Sequence, residues 1–158
     1  MFNIFKKSLT VVAPISGKTV DLSKVPDPVF AQKMAGDGIA IDSTGDIVVT
    51  PCDGIISLIM DSKHAFAITT NSGIELLVHV GLETVSLSGE GFEVLQSVNT
   101  KVTAGTPILK LDRSFIESKG ICLITPVLIA NPDKLKELNT VVNAEVSCGK
   151  DVVMKCTL

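Results

Sequence analysis

The sequence predicts an all-β fold, an antiparallel β-sandwich or barrel-sandwich hybrid with one or two short helical turns. Short segments rich in Val, Ile and Thr recur along the chain. Residues that favour turns, chiefly Gly, Pro, Asn and Asp, separate these segments at the spacing typical of sandwiches and barrels. Helical periodicity is scarce, and a length of 158 residues suits one domain.

The predicted strands follow one another along the whole chain. They cover residues 10–13, 18–22, 39–42, 46–50, 54–59, 65–69, 74–79, 108–111, 121–125 and 151–157. Helical turns are predicted over residues 112–119 and 133–138. The second of these follows Asn131 and Pro132, which fit the cap and the first turn of a helix.

One weak internal repeat bears on the architecture. Residues 12–20 (VAPISGKTV) resemble residues 49–57 (VTPCDGIIS), and each copy reads as a strand, a turn that begins with Pro, and a second strand. Two copies would suit a duplicated β-sandwich. Two independent turns of the same type would give a similar match, so both explanations stay open.

Composition and charge exclude several classes of protein. No run approaches the ~18 uninterrupted apolar residues of a membrane helix, and the first residues do not read as a secretory signal, so a cytoplasmic protein is expected. A net charge of -3 without a basic stripe argues against nucleic-acid binding. The four cysteines form no Cys-x-x-Cys pair, so we expect free thiols and no structural zinc site.

Both histidines of the chain are candidate site residues. His79 ends an apolar run, with Gly81 close behind it, and His64 lies upstream. The two histidines are placed symmetrically about Asn71, Ser72 and Gly73, which together favour a hairpin turn. Opposite residues of paired strands lie about 5 Å apart, so the hairpin predicts two neighbouring imidazoles.

An ordered series of motifs resembles a known family. The run IELLVHVGLETV at residues 74–85 is similar to the signature of the glucose-type enzyme IIA proteins of the bacterial phosphoenolpyruvate-dependent sugar phosphotransferase system. Further matching segments lie, in the same order, at residues 25–34, 36–41, 50–54, 64–68, 89–92 and 125–127. The resemblance covers roughly residues 10 to 157 and implies an all-β phosphotransferase component with a phosphohistidine intermediate.

The resemblance also implies roles for four site residues. His79 would take a phosphoryl group from phospho-HPr on its distal nitrogen, while its near nitrogen donates to the carbonyl of Gly81. It would then pass the group to a cysteine of a sugar-specific IIB domain. His64 would donate to the phosphoryl oxygens, and Ser62, where the family usually has Thr, would organise His64. No metal, nucleotide or other cofactor is expected.

Five residues are candidates for binding the partner proteins. In the family, two carboxylates beside the histidines face a basic residue of HPr, and these positions match Asp27 and Glu83. Val29, Phe30 and Val85 would supply apolar contacts. The alternatives are ordinary solvated acids for the carboxylates and core packing for the apolar side chains.

Residues 10–158 are expected to form the single domain of this family, after a flexible segment over residues 1–9. The first seven residues join three bulky apolar side chains to two lysines. This pattern could give a peripheral contact with an anionic membrane surface, and a disordered tail is the alternative.

Two other functions have partial support in the sequence. A biotinyl or lipoyl carrier domain is suggested by the hairpin-like sequence at residues 102–112, but it would need Met-Lys-Met or Asp-Lys-Ala, and neither occurs. A zinc hydrolase of the lysostaphin type would need His-x-x-x-Asp and His-x-His, and both are missing. The sugar and any regulatory partners are not encoded in these motifs.

Overall fold

The computed structural model describes residues 7–158, and within them the chain is almost entirely strands and turns. The strands are β1 (Ser8–Val12), β2 (Gly17–Asp21), β3 (Asp37–Ser43), β4 (Ile47–Val49), β5 (Gly54–Ile59), β6 (Ala65–Thr69), β7 (Glu75–His79), β8 (Phe92–Val94), β9 (Lys101–Val102), β10 (Pro107–Leu111), β11 (Ile124–Ile129), β12 (Glu137–Thr140), β13 (Glu145–Val146) and β14 (Val152–Thr157). Two short α-helices, α1 (Pro28–Ala31) and α2 (Arg113–Ser118), and three 3-10 helices (Leu22–Lys24, Thr84–Leu87 and Pro132–Lys134) connect them.

Three antiparallel sheets build the domain. The largest has eight strands in the order β13-β2-β3-β11-β7-β6-β5-β9. The other two have three strands each, in the orders β1-β14-β12 and β4-β10-β8. The prediction of an all-β antiparallel fold with few helical turns is therefore confirmed.

Apolar side chains between the sheets form the main core. Ile39, Ile41, Phe66, Leu76 and Val127 are among its fully buried members. Successive side chains of a strand point to opposite faces of its sheet, so every second residue of a strand can point into the core.

A second, smaller cluster lies on the opposite face of the large sheet. It contains Leu22, Val25, Phe30, Leu82 and Leu128. Because Phe30 and Leu82 come from α1 and from the turn after β7, this cluster ties both segments to the sheet.

Some predicted elements differ from the observed ones. The strand expected at residues 121–125 is β11, which begins three residues later at Ile124. The helical turn expected at residues 133–138 is a 3-10 helix that ends at Lys134, because β12 then pairs with β14. The short strands β8, β9, β12 and β13 and the helix α1 were not predicted, whereas the helical turn predicted at residues 112–119 is confirmed as α2.

The N-terminal boundary also differs from the expectation. β1 begins at Ser8, and its first residues pair with Thr157 and Cys156, so the sheet begins two residues before the expected domain start at residue 10. The expected flexibility and membrane contact of the first residues concern mainly residues 1–6, which lie outside the described part of the chain. No helix within residues 7–158 is long and apolar enough to cross a membrane.

Hydrogen bonds relate the two copies of the internal repeat. The amide of Val12 donates to the carbonyl of Pro51 at 2.9 Å, and the amide of Val49 donates to the carbonyl of Pro14 at 2.8 Å. This exchange is reciprocal between matching positions of residues 12–20 and 49–57. It favours a duplicated motif over two unrelated turns.

The repeat extends to segments that the sequence analysis did not match. Residues 98–105 (VNTKVTAG) and 142–149 (VNAEVSCG) align with each other. Val102 pairs with Gly54 just as Val146 pairs with Gly17. The order of the eight-stranded sheet therefore reads the same from both ends, with β13, β2, β3 and β11 equivalent to β9, β5, β6 and β7.

Arg113 anchors α2 to the end of β3. Its guanidinium donates to the carbonyls of Ser43 and Gly45, each at 2.8 Å, and to the Ser43 hydroxyl at 3.0 Å. The Ser43 hydroxyl in turn donates to the Leu123 carbonyl at 2.6 Å. This chain of bonds fixes the segment that enters β11.

Replacing Arg113 with Met should destabilise the fold, because it keeps the apolar stem but leaves the carbonyls of Ser43 and Gly45 without their donor. We expect the free energy of unfolding to fall by about 2 kcal/mol, measured by urea denaturation. Lys110→Met changes an exposed neighbour and serves as the control, with an expected effect within about 0.5 kcal/mol. Equal unfolding curves for the two variants would contradict the anchoring role.

Candidate functional site

The hairpin of β6 and β7 brings the two histidines together. Ala65 lies opposite His79 in the ladder, and His64 directly precedes β6. The amide of Val80 donates to the carbonyl of His64 at 2.7 Å, which extends the pairing beyond the strands. The imidazole centroids are 4.7 Å apart, with an angle of 77° between the ring planes. The juxtaposition expected from the hairpin turn is therefore present.

A hydrogen bond to the main chain fixes the His79 ring. Its Nδ1 lies 2.8 Å from the carbonyl oxygen of Gly81. A carbonyl oxygen can only accept a hydrogen bond, so Nδ1 carries the proton in this contact. In the neutral ring Nε2 then holds a free lone pair, which is the arrangement that a nucleophilic imidazole needs.

Gly81 occupies a position that a side chain would disrupt. Its φ of +81° lies in the left-handed region, where glycine is favoured. A Cβ atom at this position would lie 2.6 Å from Cγ2 of Thr84 and 3.0 Å from the carbonyl oxygen of Cys122. The close packing therefore requires glycine at the residue whose carbonyl holds His79.

His64 is almost completely buried, and Ser62 contacts its ring. The side chain is 1% exposed, and its Nδ1 lies 2.7 Å from the Ser62 hydroxyl. When the hydroxyl donates to Nδ1, the proton of the neutral imidazole lies on Nε2. The pair therefore permits His64 to act as a neutral hydrogen-bond donor.

Burial keeps both imidazoles neutral. It lowers the pKa of His79, although the Gly81 hydrogen bond and the negative charge of Asp27 act in the opposite direction. Burial also lowers the pKa of His64, and the nearby His79 lowers it further. Since the ordinary value is 6.5, both rings are uncharged at neutral pH.

Phe30 supports His79 from α1. The two ring centroids are 4.9 Å apart, with an angle of 55° between the planes. Asp27 caps this helix by accepting a hydrogen bond from the amide of Val29 at 3.0 Å. Because Phe30 is only 6% exposed, it packs beneath His79 and offers little area to a docking partner.

The other predicted partner-binding residues lie at the rim of the site. Val29 is 43% exposed and Val85 is 58% exposed. Asp27 and Glu83 line one shallow cavity of about 330 Å³. Glu83 has a φ of 60°, a left-handed conformation at the start of the 3-10 helix that follows β7.

An apolar groove next to Ser62 was not predicted. It has a volume of about 610 Å³, and its lining includes Leu58, Met60 and Val85. The pairing register of β5 shifts between Ile56 and Leu58. A β-bulge changes the direction of side chains in a way that strand alternation cannot predict, which is why the exposure of Leu58 was missed.

Within residues 7–158, no group of three or more His, Cys, Asp and Glu side chains is arranged to hold a metal ion. Of the four cysteines, Cys52 and Cys156 are buried, Cys122 is exposed and Cys148 is half-buried, and all four are free thiols.

Comparisons with known proteins agree with this geometry. A family model for the EIIA 1 component of the phosphoenolpyruvate-dependent sugar phosphotransferase system matches residues 9–135. The chain is 44% identical to a glucose-specific EIIA component of Bacillus cereus over 94% of its own length and 90% of the relative. It superposes on the glucose permease IIA of Mycoplasma capricolum with a TM-score of 0.90, at 36% identity, and the match covers 98% of this chain and 99% of that one.

Some relatives carry the same region within a larger protein. A mannose-specific EIIBCA component of Corynebacterium glutamicum is 44% identical over 90% of this chain, which corresponds to 21% of that relative. Because these matches cover most of the chain, they favour this family over the carrier-domain and zinc-hydrolase alternatives. The chain belongs to the EIIA 1 family and is a component of the phosphoryl relay of the sugar phosphotransferase system.

Proposed function

We propose that Nε2 of His79 accepts a phosphoryl group from phospho-HPr and delivers it to a cysteine of a sugar-specific IIB domain, with glucose as the transported sugar. The hydrogen bond from Nδ1 of His79 to Gly81 carries this proposal, because it leaves Nε2 free to attack. The reaction takes place in the cytoplasm and passes through a phosphohistidine on this chain.

The chemistry needs only the imidazole and its hydrogen bonds. The lone pair of Nε2 attacks phosphorus, and a bond from nitrogen to phosphorus forms while the bond from phosphorus to the donor breaks. The ring gains positive charge, which the Gly81 carbonyl and the Asp27 carboxylate stabilise. In the second transfer a cysteine thiolate attacks phosphorus, and the electron pair returns to Nε2.

His64 stabilises the charge of the transferred group. Its ring lies against His79, and Ser62 holds Nδ1 so that Nε2–H is available to the phosphoryl oxygens. A donor fixed in advance needs little reorganisation as negative charge develops. Ser62 thus performs the organising role for which the family usually has Thr.

The names of fused relatives support a permease partner. The EIIBCA component from Corynebacterium and the glucose-specific EIICBA component of Staphylococcus carnosus join A, B and C parts in one chain. Relatives of 44% and 43% identity are named for mannose and for glucose. The sugar is therefore chosen by the permease, and the glucose-specific names of relatives that match over nearly their whole length favour glucose here.

The exposed rim is the surface on which HPr docks. Val29 and Val85 provide its apolar part, and Asp27 and Glu83 face cations of the donor. Complementary charge at the rim of an interface speeds association more than it adds affinity.

Variants of the two histidines test the relay. The protein is incubated with phosphoenolpyruvate, enzyme I and HPr, and intact mass shows whether one acid-labile phosphoryl group is added. We expect wild type to gain it and His79→Gln to gain none while unfolding like wild type. His64→Gln should still be phosphorylated but should transfer the group to IIB about a hundredfold more slowly, because one donor to the phosphoryl oxygens is lost.

Two results would count against this assignment. An acid-labile phosphoryl group on His79→Gln would show that another residue accepts it. A normal rate of onward transfer in His64→Gln would remove His64 from the site.

The histidine pair also predicts a dependence of stability on pH. Burial lowers both pKa values from 6.5, so the unfolded chain binds more protons than the folded one as the pH falls through this value. The free energy of unfolding should therefore decrease from pH 7.5 towards pH 5, and the decrease should be smaller in the double variant His64→Gln/His79→Gln. Chemical denaturation at each pH measures this, and equal slopes for the two proteins would contradict the lowered pKa values.

Reversing the acidic rim should impair encounter with HPr more than it slows the chemistry at His79. In Asp27→Lys/Glu83→Lys, like charges face each other, so KM for phospho-HPr should rise on the order of tenfold at low salt and less at high salt. The single-turnover rate at saturation should fall by a smaller factor, because the Asp27 carboxylate is one of two groups that stabilise the positive His79 ring and the Gly81 carbonyl remains. Glu137→Lys/Glu145→Lys makes the same change of net charge on β12 and β13 and is the control. Equal KM values for both double variants across ionic strength would show that the rim does not face HPr.

A further inference from the structure

We propose that Thr84 is a positioning residue for this transfer, whose hydroxyl holds the turn after β7 so that the Gly81 carbonyl keeps His79 in its Nδ1–H tautomer. The inference rests on the proposed role of His79 as the nucleophile. It assigns a function to a buried hydroxyl that neither touches the imidazole nor faces a partner.

Both arms of the Thr84 side chain contact the turn. The residue is fully buried, and its hydroxyl donates to the carbonyl of Val80 at 2.7 Å. Its methyl carbon lies 2.6 Å from the position that a Cβ on Gly81 would occupy, so it packs against the open side of that glycine. The hydroxyl and the methyl group of Thr84 therefore both contact the segment formed by Val80 and Gly81.

The other anchors of this turn lie on either side of that peptide. The amide of Val80 donates to the carbonyl of His64 at 2.7 Å, and the amide of Leu82 donates to the carbonyl of Cys122 at 2.9 Å. Glycine itself restricts its backbone angles very little. The direction of the Gly81 carbonyl is thus set by contacts around it. Two side chains, Thr84 and Leu123, pack against this glycine, and Thr84 is the nearer one.

Removing the Thr84 hydroxyl should change the protonation of His79 through a shift of the backbone between them. A buried carbonyl without a partner tends to rotate towards another donor or towards water. Rotation of the Val80 carbonyl would move the neighbouring Gly81 carbonyl away from Nδ1 of His79. The imidazole could then place its proton on Nε2, and that tautomer has no lone pair with which to attack phosphorus.

Substitutions of matched shape separate the hydroxyl from the methyl group. Thr84→Val keeps the volume and removes the donor, whereas Thr84→Ser keeps the donor and removes the methyl group. Ser86→Ala is the control, because Ser86 donates to the carbonyl of Glu83 at 2.8 Å in the same 3-10 helix. Its loss removes a similar bond that does not touch the peptide before Gly81.

Two measurements are made on the full chain of each variant. The ¹⁵N chemical shifts of the His79 ring, recorded at a pH above its pKa, report which nitrogen carries the proton. The single-turnover rate of phosphorylation by phospho-HPr reports the competent fraction. Wild type, Thr84→Ser and Ser86→Ala should show the Nδ1–H tautomer and similar rates. Thr84→Val should show a mixture of tautomers and a rate reduced on the order of tenfold.

A folded Thr84→Val protein with a pure Nδ1–H tautomer and the wild-type rate would overturn the inference. If thermal unfolding shows that this variant does not fold, Thr84→Ala is measured in its place with the same expectation and the same overturning result. The ring shifts do not require phosphorylation. A wild type that fails to accept phosphate on His79 would therefore refute the proposed function while leaving the tautomer result to be judged separately.

Discussion

The hydrogen bond from Nδ1 of His79 to the Gly81 carbonyl is the contact on which the site depends, since it decides which ring nitrogen is free to react. The bond requires the chain to turn sharply directly after β7. That turn requires glycine, because its φ is +81° and the carbonyl of Cys122 closes the space where a side chain would stand. The backbone conformation of this turn thus determines which nitrogen of His79 carries the proton.

The two halves of the duplicated sheet differ at the position of His79. Gly54 and Gly17 occupy equivalent places, and counting along the paired strands makes Ala65 equivalent to Gly38. Ala65 lies opposite His79, whereas Gly38 lies opposite Leu128. One half of the sheet thus presents an imidazole where the other half places a buried leucine.

The same comparison places Asp37 where the first half has His64. The Asp37 side chain accepts a hydrogen bond from the amide of Gly38 and contacts Lys33, so it serves the local backbone. The repeat therefore supplies the same scaffold twice, and the residues proposed to transfer the phosphoryl group occupy only one of the two equivalent hairpins.

The sequence predicted most of the fold and the centre of the site for reasons that are local. Alternation and turn residues identify long strands such as β5 and β7, and a symmetric turn at residues 71–73 is enough to place His64 beside His79. Strands of two to four residues such as β9 and β12 have no such signal, because pairing with distant partners creates them. The support given by Thr84 and by the Cys122 carbonyl was missed for the same reason, since both depend on a turn that only the folded chain closes.

Burial separates the proposed reactive group from the proposed docking surface. The buried rings of His64 and Phe30 pack against His79, which ends a central strand of the large sheet. Val29 and Val85, by contrast, are exposed at the rim. A rigid reactive group and an exposed docking surface can then change independently. On the proposed function, a change of partner would alter the surface that the rim meets, whereas the hydrogen bond from Nδ1 of His79 to the Gly81 carbonyl lies within this chain and would stay the same.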